Sequence, residues 1–343
     1  MLVRATTIQR EGIMRRRGIN YDTGFFPGGS LSRERFDPET VRREMAVIAG
    51  ELHCTAVRIS GGDAERLAVA GRCAAEAGLE VWFAPFPSDL TPEEMLPFFE
   101  DCAGRAEELR RGGAEVVFVT GCELSLFAAG FLPGENAFRR IEGIMSGDPA
   151  IFAAFGDVPV RVNAFLAKAA AVVRGRFGGP VTYAAGTWED VDWTPFDIVG
   201  VDAYRDASNA DGFREEVRRR SAFGKPVAVT EFGCCAYRGA ADLGGAGWMI
   251  VDRDAEPLRI KGDHVRDEAE QVTYLRELLE IFEQEGVDSA FWFTFAGYDL
   301  PHRPEDPEHD LDLASYGVVK FGEDGVTWEP KEVFHALAAA YSS

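Results

Sequence analysis

Residues 115–126 read EVVFVTGCELSL. Val116, Val117, Phe118 and Val119 make an unbroken β-branched and aromatic run, which suits a parallel strand covered on both faces. Such a run needs no charge at its end, yet the turn that follows carries Glu123. A carboxylate where a buried strand emerges is costly unless it is hydrogen-bonded or put to use. Residues 226–233, PVAVTEFG, repeat the design and deliver Glu231. The expectation is that the rest of the chain holds these two carboxyls facing each other.

Outward from these two stretches, apolar runs and amphipathic segments alternate. Further strands are predicted at 18–21, 55–59, 81–84, 181–185, 198–201 and 290–293, with those of the two stretches at 116–119 and 227–230. Asp37-Pro38 is an N-cap with proline at the first helical position, and Val41, Met45 and Ile48 follow at helical spacing. Thr91 to Glu94 is a capping box opening a helix with Met95, Phe98, Phe99, Cys102, Ala106 and Leu109 on one stripe. Helices are also expected at about 63–77, 160–176, 212–223 and 330–340, and along Val272, Leu275, Leu279 and Phe282 to Gly286. The link 186–197 is too short for a full helix.

Eight strands alternating with helices imply parallel pairing with right-handed crossovers. They predict a closed (β/α)₈ TIM barrel, about 18–340, in a single domain spanning 1–343. Helix-to-strand links are terse, while strand-to-helix links are long after strands 1, 4, 7 and 8. In a barrel the long set lies on one rim, where active sites sit. An open doubly wound sheet would need a glycine-rich phosphate turn after strand 1, and Gly28-Gly29-Ser30 comes too late.

The 343 residues are 46% hydrophobic and 27% charged, the composition of a globular chain with a sizeable core. A formal charge of −21, from 57 acidic against 36 basic side chains, repels nucleic acid and anionic membrane. The first residues contain no apolar core of signal-peptide length and no stretch could span a bilayer, so the chain reads as cytoplasmic. Cys54, Cys73, Cys102, Cys122, Cys234 and Cys235 lack zinc-site spacing and read as buried free thiols. No His-x-His occurs among the five histidines, which excludes a metal-dependent barrel hydrolase. Asp299, Asp306, Asp310 and Asp312 lack the EF-hand pattern and read as a solvated acidic loop.

The strand ends on the long-loop rim supply Asn20, Tyr21 and Asp22, then Arg58, Glu123, Trp188 and Glu189, Asp202 and Tyr204, Glu231 and Trp292. Two carboxyls about 5 Å apart suit double-displacement glycoside cleavage, one as nucleophile and the other as acid and then base. Mutual repulsion and partial burial keep one protonated, and a nearby arginine holds the other ionised. Trp292 offers an apolar face for a sugar ring. Ion pairs with Arg58 or Arg238 would instead give Glu123 and Glu231 a purely structural role.

At this point the chain resembles the clan A glycoside hydrolases, (β/α)₈ barrels with a glutamate acid/base ending strand 4 and a glutamate nucleophile ending strand 7. Thr120-Gly121-Cys122-Glu123-Leu124 looks like the first motif and Thr230-Glu231-Phe232-Gly233 like the second. Arg58 matches the strand 2 arginine, Tyr204 the strand 6 tyrosine that contacts the nucleophile, and Trp292 the strand 8 tryptophan at the sugar site. The resemblance implies a retaining glycosidase acting on a short carbohydrate, without metal or cofactor. Glu231 would be nucleophile and Glu123 acid/base, with Asn20, Tyr21, Arg58, Cys122, Trp188, Asp202, Tyr204 and Trp292 around the sugar. One position departs: where the family has an asparagine that bonds the sugar 2-hydroxyl, this chain has Cys122, a weak donor. The segments GINYDTGF and TEFGCCAYRGA also resemble bacterial proteins labelled abortive infection proteins. The alternative is a non-catalytic barrel that binds a carbohydrate or a protein partner, in phage defence; Cys122 is the feature that favours it.

Overall fold

The structure is a computed structural model that describes residues 14–25 and 31–342. The Gly28-Gly29-Ser30 turn and most of the N-terminal segment weighed as a leader lie outside the described residues.

Eight barrel strands run in chain order: β1 Arg16–Asp22, β2 Ala56–Gly61, β3 Glu80–Pro85, β4 Val116–Cys122, β5 Val181–Gly186, β6 Val199–Asp202, β7 Val227–Phe232 and β8 Ser289–Trp292. Each pairs in parallel with its neighbours, and β8 closes on β1, with Gly18 opposite Phe291. The barrel is therefore the expected (β/α)₈ fold. Outer helices follow Asp37, Asp63 and Thr91, whose side chains accept from first-turn N–H groups; Thr91 and Glu94 complete the capping box. Among the described residues no helix fills the link from β5 to β6. There Val191, Trp193 and Phe196 are buried against the outer layer in its place.

Alternation along the strands divides the core in two. Ala56, Trp82, Val117, Val119, Ile198, Ala228 and Phe291 fill the barrel lumen, with Trp82 and Phe291 in ring contact at 4.7 Å. Their neighbours in sequence, such as Val57, Val116, Phe118 and Val229, pack outward against the helices. Burial on both faces explains why these strands read as continuous apolar runs.

The loops after β4, β7 and β8 have structure of their own. The first carries short helices Leu124–Phe127, Ala137–Ser146 and Pro149–Ala154; the second holds a hairpin of Val251–Asp252 with Arg259–Ile260; the third holds Val319–Phe321 paired with Trp328–Pro330. Of the four acids expected to form a solvated loop, Asp299 and Asp306 are exposed, and the other two are not. Asp310 and Asp312 are buried, each paired with Arg266 at 2.8 Å, and Lys331 lies 3.0 Å from Asp312. All six cysteines are free and buried, as expected. Among the described residues no helix is long and apolar enough to cross a membrane.

Candidate active site

Both acid-bearing strands change register just before their glutamate. From Val119 to Cys122, β4 takes three steps where β5 takes two from Thr182 to Ala184. From Val229 to Phe232, β7 takes three where β8 takes two from Ala290 to Trp292. Each strand thus carries a one-residue bulge at the rim, which breaks strict alternation and re-aims the side chains that follow. On β4 the bulge uses Gly121 at φ +83°, where a Cβ would meet the Leu124 side chain at 2.8 Å. On β7 it lets successive residues point inward: Thr230 Oγ1 donates to Asp202 Oδ1 (2.7 Å) while Glu231 reaches Arg58. Glu123 sits in the left-handed region, at φ +41° and ψ +47°. This conformation costs a non-glycine residue roughly 1–2 kcal/mol. Its N–H is anchored to Ala184 O at 2.8 Å, and its carbonyl accepts from Leu126 and Phe127.

Glu231 is held at both oxygens. Arg58 Nη1 donates to Oε1 at 2.6 Å and the Tyr204 hydroxyl donates to Oε2 at 2.9 Å. The same Arg58 nitrogen donates to Asn20 Oδ1 (2.6 Å), and Asn20 Nδ2 donates to Thr230 O (3.0 Å), so the β1 side chain ties the arginine to β7. Cys122 Sγ stands 3.3 Å from Asp202 Oδ2 and 3.6 Å from Glu231 Oε1. Burial, then the charges of Asp202 and Glu231, push the Glu123 carboxyl well above its ordinary range. Burial followed by the Glu231 charge does the same to Asp202, against the opposing pull of Arg58. Burial and the two neighbouring acids also raise the Cys122 thiol, which is thus kept protonated.

The site residues expected from sequence fall into three groups. Glu123 and Glu231 converge on this cluster, each with 9% of its surface open, and Tyr204 and Trp188 remain partly or well exposed on the rim. Asn20, Arg58, Cys122 and Asp202 come to the same place but are almost wholly buried; they support Glu231 rather than offer a surface to a ligand. Tyr21 and Trp292 are corrections. Tyr21 points away from the lumen and donates to Glu44 on the outer helix. Trp292 is 0% exposed, packs edge-on against Phe232 at 5.4 Å, and spends its indole N–H on Tyr316 O at 3.0 Å, so neither ring face is free for a sugar. The next residue, Phe293, is partly exposed and packs against Tyr316, which in turn contacts Tyr204. Arg238, the other suggested partner of the glutamates, lies instead near Asp267 at 3.6 Å.

Two strand-end residues read from the sequence, Trp188 and Glu189, hold the turn that carries Glu123, while the aromatic groups around them gave no sequence signal. Glu189 is buried and accepts from Tyr183 OH (2.8 Å), Ser125 N (3.0 Å) and Gly186 N (3.1 Å), and Tyr183 OH also accepts from Leu124 N (2.7 Å). With Trp188 Nε1 on Ser125 Oγ (3.1 Å), the β5 loop therefore clamps the turn that carries Glu123. Phe25, Phe86 and Phe127 form an aromatic row at the top of the lumen. The β4 and β7 loops meet through Phe138 and Trp248, 5.7 Å between centroids, with Arg253 over both rings.

Cys122 Sγ and one oxygen each of Asp202 and Glu231 lie within 4.8 Å of one another, a spacing a cation could use. The Arg58 guanidinium already occupies that side of Glu231, and its charge opposes a metal there.

No family model and no curated protein matches the chain. Solved structures do. A GH113 β-1,4-mannanase is similar over 96% of this chain and 100% of its own, at 17% identity and a TM-score of 0.61. The GH113 β-mannanase AaManA from Alicyclobacillus acidocaldarius, in complex with ManMIm, is 16% identical over 96% and 98%, with a TM-score of 0.59. A family 1 β-glucosidase from Thermotoga maritima is 12% identical over 95% and 96%, with a TM-score of 0.53. At these identities the likeness is one of fold, and nothing in it bears on the abortive infection resemblance. The chain shares the (β/α)₈ barrel fold of these glycoside hydrolases.

Proposed function

We propose that the chain is a retaining glycoside hydrolase acting on a short carbohydrate or glycoside. The observation that carries the reading is the unequal treatment of two acids in one cluster. Glu231 has an arginine on one oxygen and a tyrosine hydroxyl on the other, while burial and neighbouring negative charge favour the protonated form of Glu123. In this reading Glu231 attacks the anomeric carbon as Glu123 gives its proton to the departing glycosidic oxygen. Glu123, now a carboxylate, then takes a proton from the water that releases the sugar from Glu231. Tyr204 and Arg58 fix the angle of attack. Asn20 and Thr230 position Arg58 and Asp202 in turn, and no metal or cofactor is required. The contact between the β4 and β7 loops favours a walled pocket, and so a short substrate.

The test is a panel of aryl glycosides together with a 2-deoxy-2-fluoro glycosyl inactivator. Turnover accompanied by a covalent label on Glu231 is the expected outcome. Turnover that survives intact in Glu231→Ala or Glu123→Ala removes the assignment.

One observation favours a second reading. Cys122 directs its thiol at two acids and leaves the position before Glu123 without an amide donor. A barrel that binds carbohydrate or a protein partner without cleaving it, in a defence role, is consistent with that. Saturable sugar binding with neither labelling nor turnover would select this reading.

A further inference from the structure

Glu123 occupies the N-cap position of the short helix Leu124–Phe127, but its side chain caps nothing. An acidic side chain there would ordinarily accept from the first N–H groups of the turn. Here the carboxyl belongs to the acid cluster, so those donors need other acceptors. Strand β5 and its loop supply them. The Tyr183 hydroxyl accepts from Leu124 N at 2.7 Å and donates to Glu189 Oε2 at 2.8 Å. Glu189 Oε1 accepts from Ser125 N at 3.0 Å, and Oε2 accepts also from Gly186 N at 3.1 Å. The loop is itself anchored. Val191, Trp193 and Phe196 are buried, and Asn163 on the outer helix Val158–Arg174 donates to Asp190 O at 2.8 Å and accepts from Asp192 N at 2.7 Å.

These partners of Glu189 are all donors, so it is bound as a carboxylate. Burial raises its carboxyl, against the hydrogen bonds from Ser125, Tyr183 and Gly186. The other groups that face Glu123 contribute less fixed charge. Burial favours the protonated form of Asp202 on β6, and Arg58 on β2 offsets Glu231 on β7. Burial also keeps Cys122 and Tyr204 uncharged. Glu189 is left as the acid beside Glu123 whose hydrogen-bond partners are neutral.

We infer that Glu189 is a positioning residue for proton transfer: it fixes the turn that aims Glu123, and its charge holds the Glu123 proton until the leaving oxygen takes it. The inference rests on the glycosidase reading and extends it to a buried residue that acts through the turn. As Glu231 bonds to the anomeric carbon, the glycosidic oxygen keeps the electron pair of the breaking C–O bond and receives the Glu123 proton. Glu189 neither gains nor loses a proton. A leaving group that departs only when protonated therefore depends on Glu189, and one that departs as a stable anion does not.

The experiment measures kcat/KM against pH on two glycosides of one sugar, with phenyl and 2,4-dinitrophenyl leaving groups. Glu189→Gln is expected to raise the dinitrophenyl-to-phenyl ratio about tenfold and to move the basic limb of the phenyl profile to lower pH. That limb marks loss of the Glu123 proton, which the absence of a negative neighbour makes easier. Tyr183→Phe keeps the charge but takes the acceptor from Leu124 N, so it should raise the ratio by less; it carries the test if Glu189→Gln does not fold. A merely structural role would slow both substrates alike, and an unchanged ratio overturns the inference. The same pair of acids can be read without substrate. At pH 8, Glu123→Gln should raise the melting temperature less in the Glu189→Gln background than in the wild type, because less repulsion is left to relieve. Equal gains overturn the inference. If the wild type cleaves neither glycoside, the glycosidase reading fails by itself, and the melts alone decide whether Glu189 acts on Glu123.

Discussion

The mouth of the barrel and the base of the β8 loop both bury clusters of charge, and they balance them in opposite ways. At the base, Arg266, Lys320 and Lys331 meet Asp310, Asp312 and Glu268. Burial works against ionising Asp310 and Glu268, but their partners outweigh it and both end below the ordinary carboxylate range; Asp312 alone stays raised by its burial. At the mouth, Glu123, Asp202, Glu231 and the Cys122 thiol share a single arginine, Arg58. Glu123 and Asp202 are left raised, and Glu123 is also held in a left-handed backbone conformation. A cluster whose partners are matched fastens a loop. One that concentrates acids around one cation stores electrostatic and backbone free energy, as sites tuned for proton transfer do.

The largest expected effect tests that contrast directly. Glu231→Gln and Glu123→Gln should each lower turnover of an activated aryl glycoside by at least about 100-fold, the scale on which nucleophiles and general acids act. Glu268→Gln, in the matched cluster, should leave turnover unchanged. If the loss is the same at both places, the two clusters do not differ in kind. The next effect runs the other way. Asp312→Ala strips Lys331, which has no exposed surface, of its counter-charge and should cost about 3–5 kcal/mol in urea unfolding. A cost below about 1 kcal/mol would mean that the β8 loop is held by its apolar contacts alone.

The contrast also accounts for what could be read in the sequence. The eight strands, the long-loop rim and the positions of Glu123 and Glu231 follow from local patterns: apolar runs, caps and an acid at a strand end. Tyr21 and Trp292 were misplaced because alternation is unforgiving. Asn20 faces the lumen, so Tyr21 one step later faces the helices, and Phe291 in the lumen sends Trp292 outward. That parity was available in the sequence. The bulges of β4 and β7 were not, since only pairing reveals an extra residue; Gly121 was their one local trace. Nor could Asp310 and Asp312 be told from a solvated loop, because their partner Arg266 precedes them by more than forty residues. Asp202 and Cys122 were placed near the sugar, but their position underneath Glu231 depends on which side chains are buried, and sequence does not give that.

Sharper and smaller is the pH dependence. A carboxyl raised by folding contributes stability that is fully present below the unfolded pKa, near 4, and is lost as pH rises through the folded value. Glu123 is such a group. Glu123→Gln removes the titration while keeping size and shape, so the variant should melt a few degrees above wild type at pH 8 and show no gain at pH 4. Glu268 is lowered, so its stability is present at neutral pH and lost on acidification. Glu268→Gln should therefore melt below wild type at pH 8, with the difference shrinking toward pH 4. Opposite signs in these two variants would separate the clusters without any substrate.

The smallest effect is chemical. A cluster already carrying more acid than base has no room for another anion, so Cys122 should remain a thiol. Iodoacetamide at pH 8 attacks thiolates, and Cys122 combines a raised pKa with 3% exposure. Mass spectrometry of the native protein should find Cys122 unmodified after hours and alkylated within minutes in urea. Removing the acids should change this in a graded way. Asp202→Asn takes away the neighbour that contributes most, after burial, to raising the thiol, yet it leaves the site closed, so native alkylation should rise only slightly. Rapid native labelling in the wild type would mean that Arg58 stabilises a thiolate there. The mouth would then hold a soft nucleophile beside Glu231, and the division between the two clusters would rest on Cys122 rather than on the carboxyls.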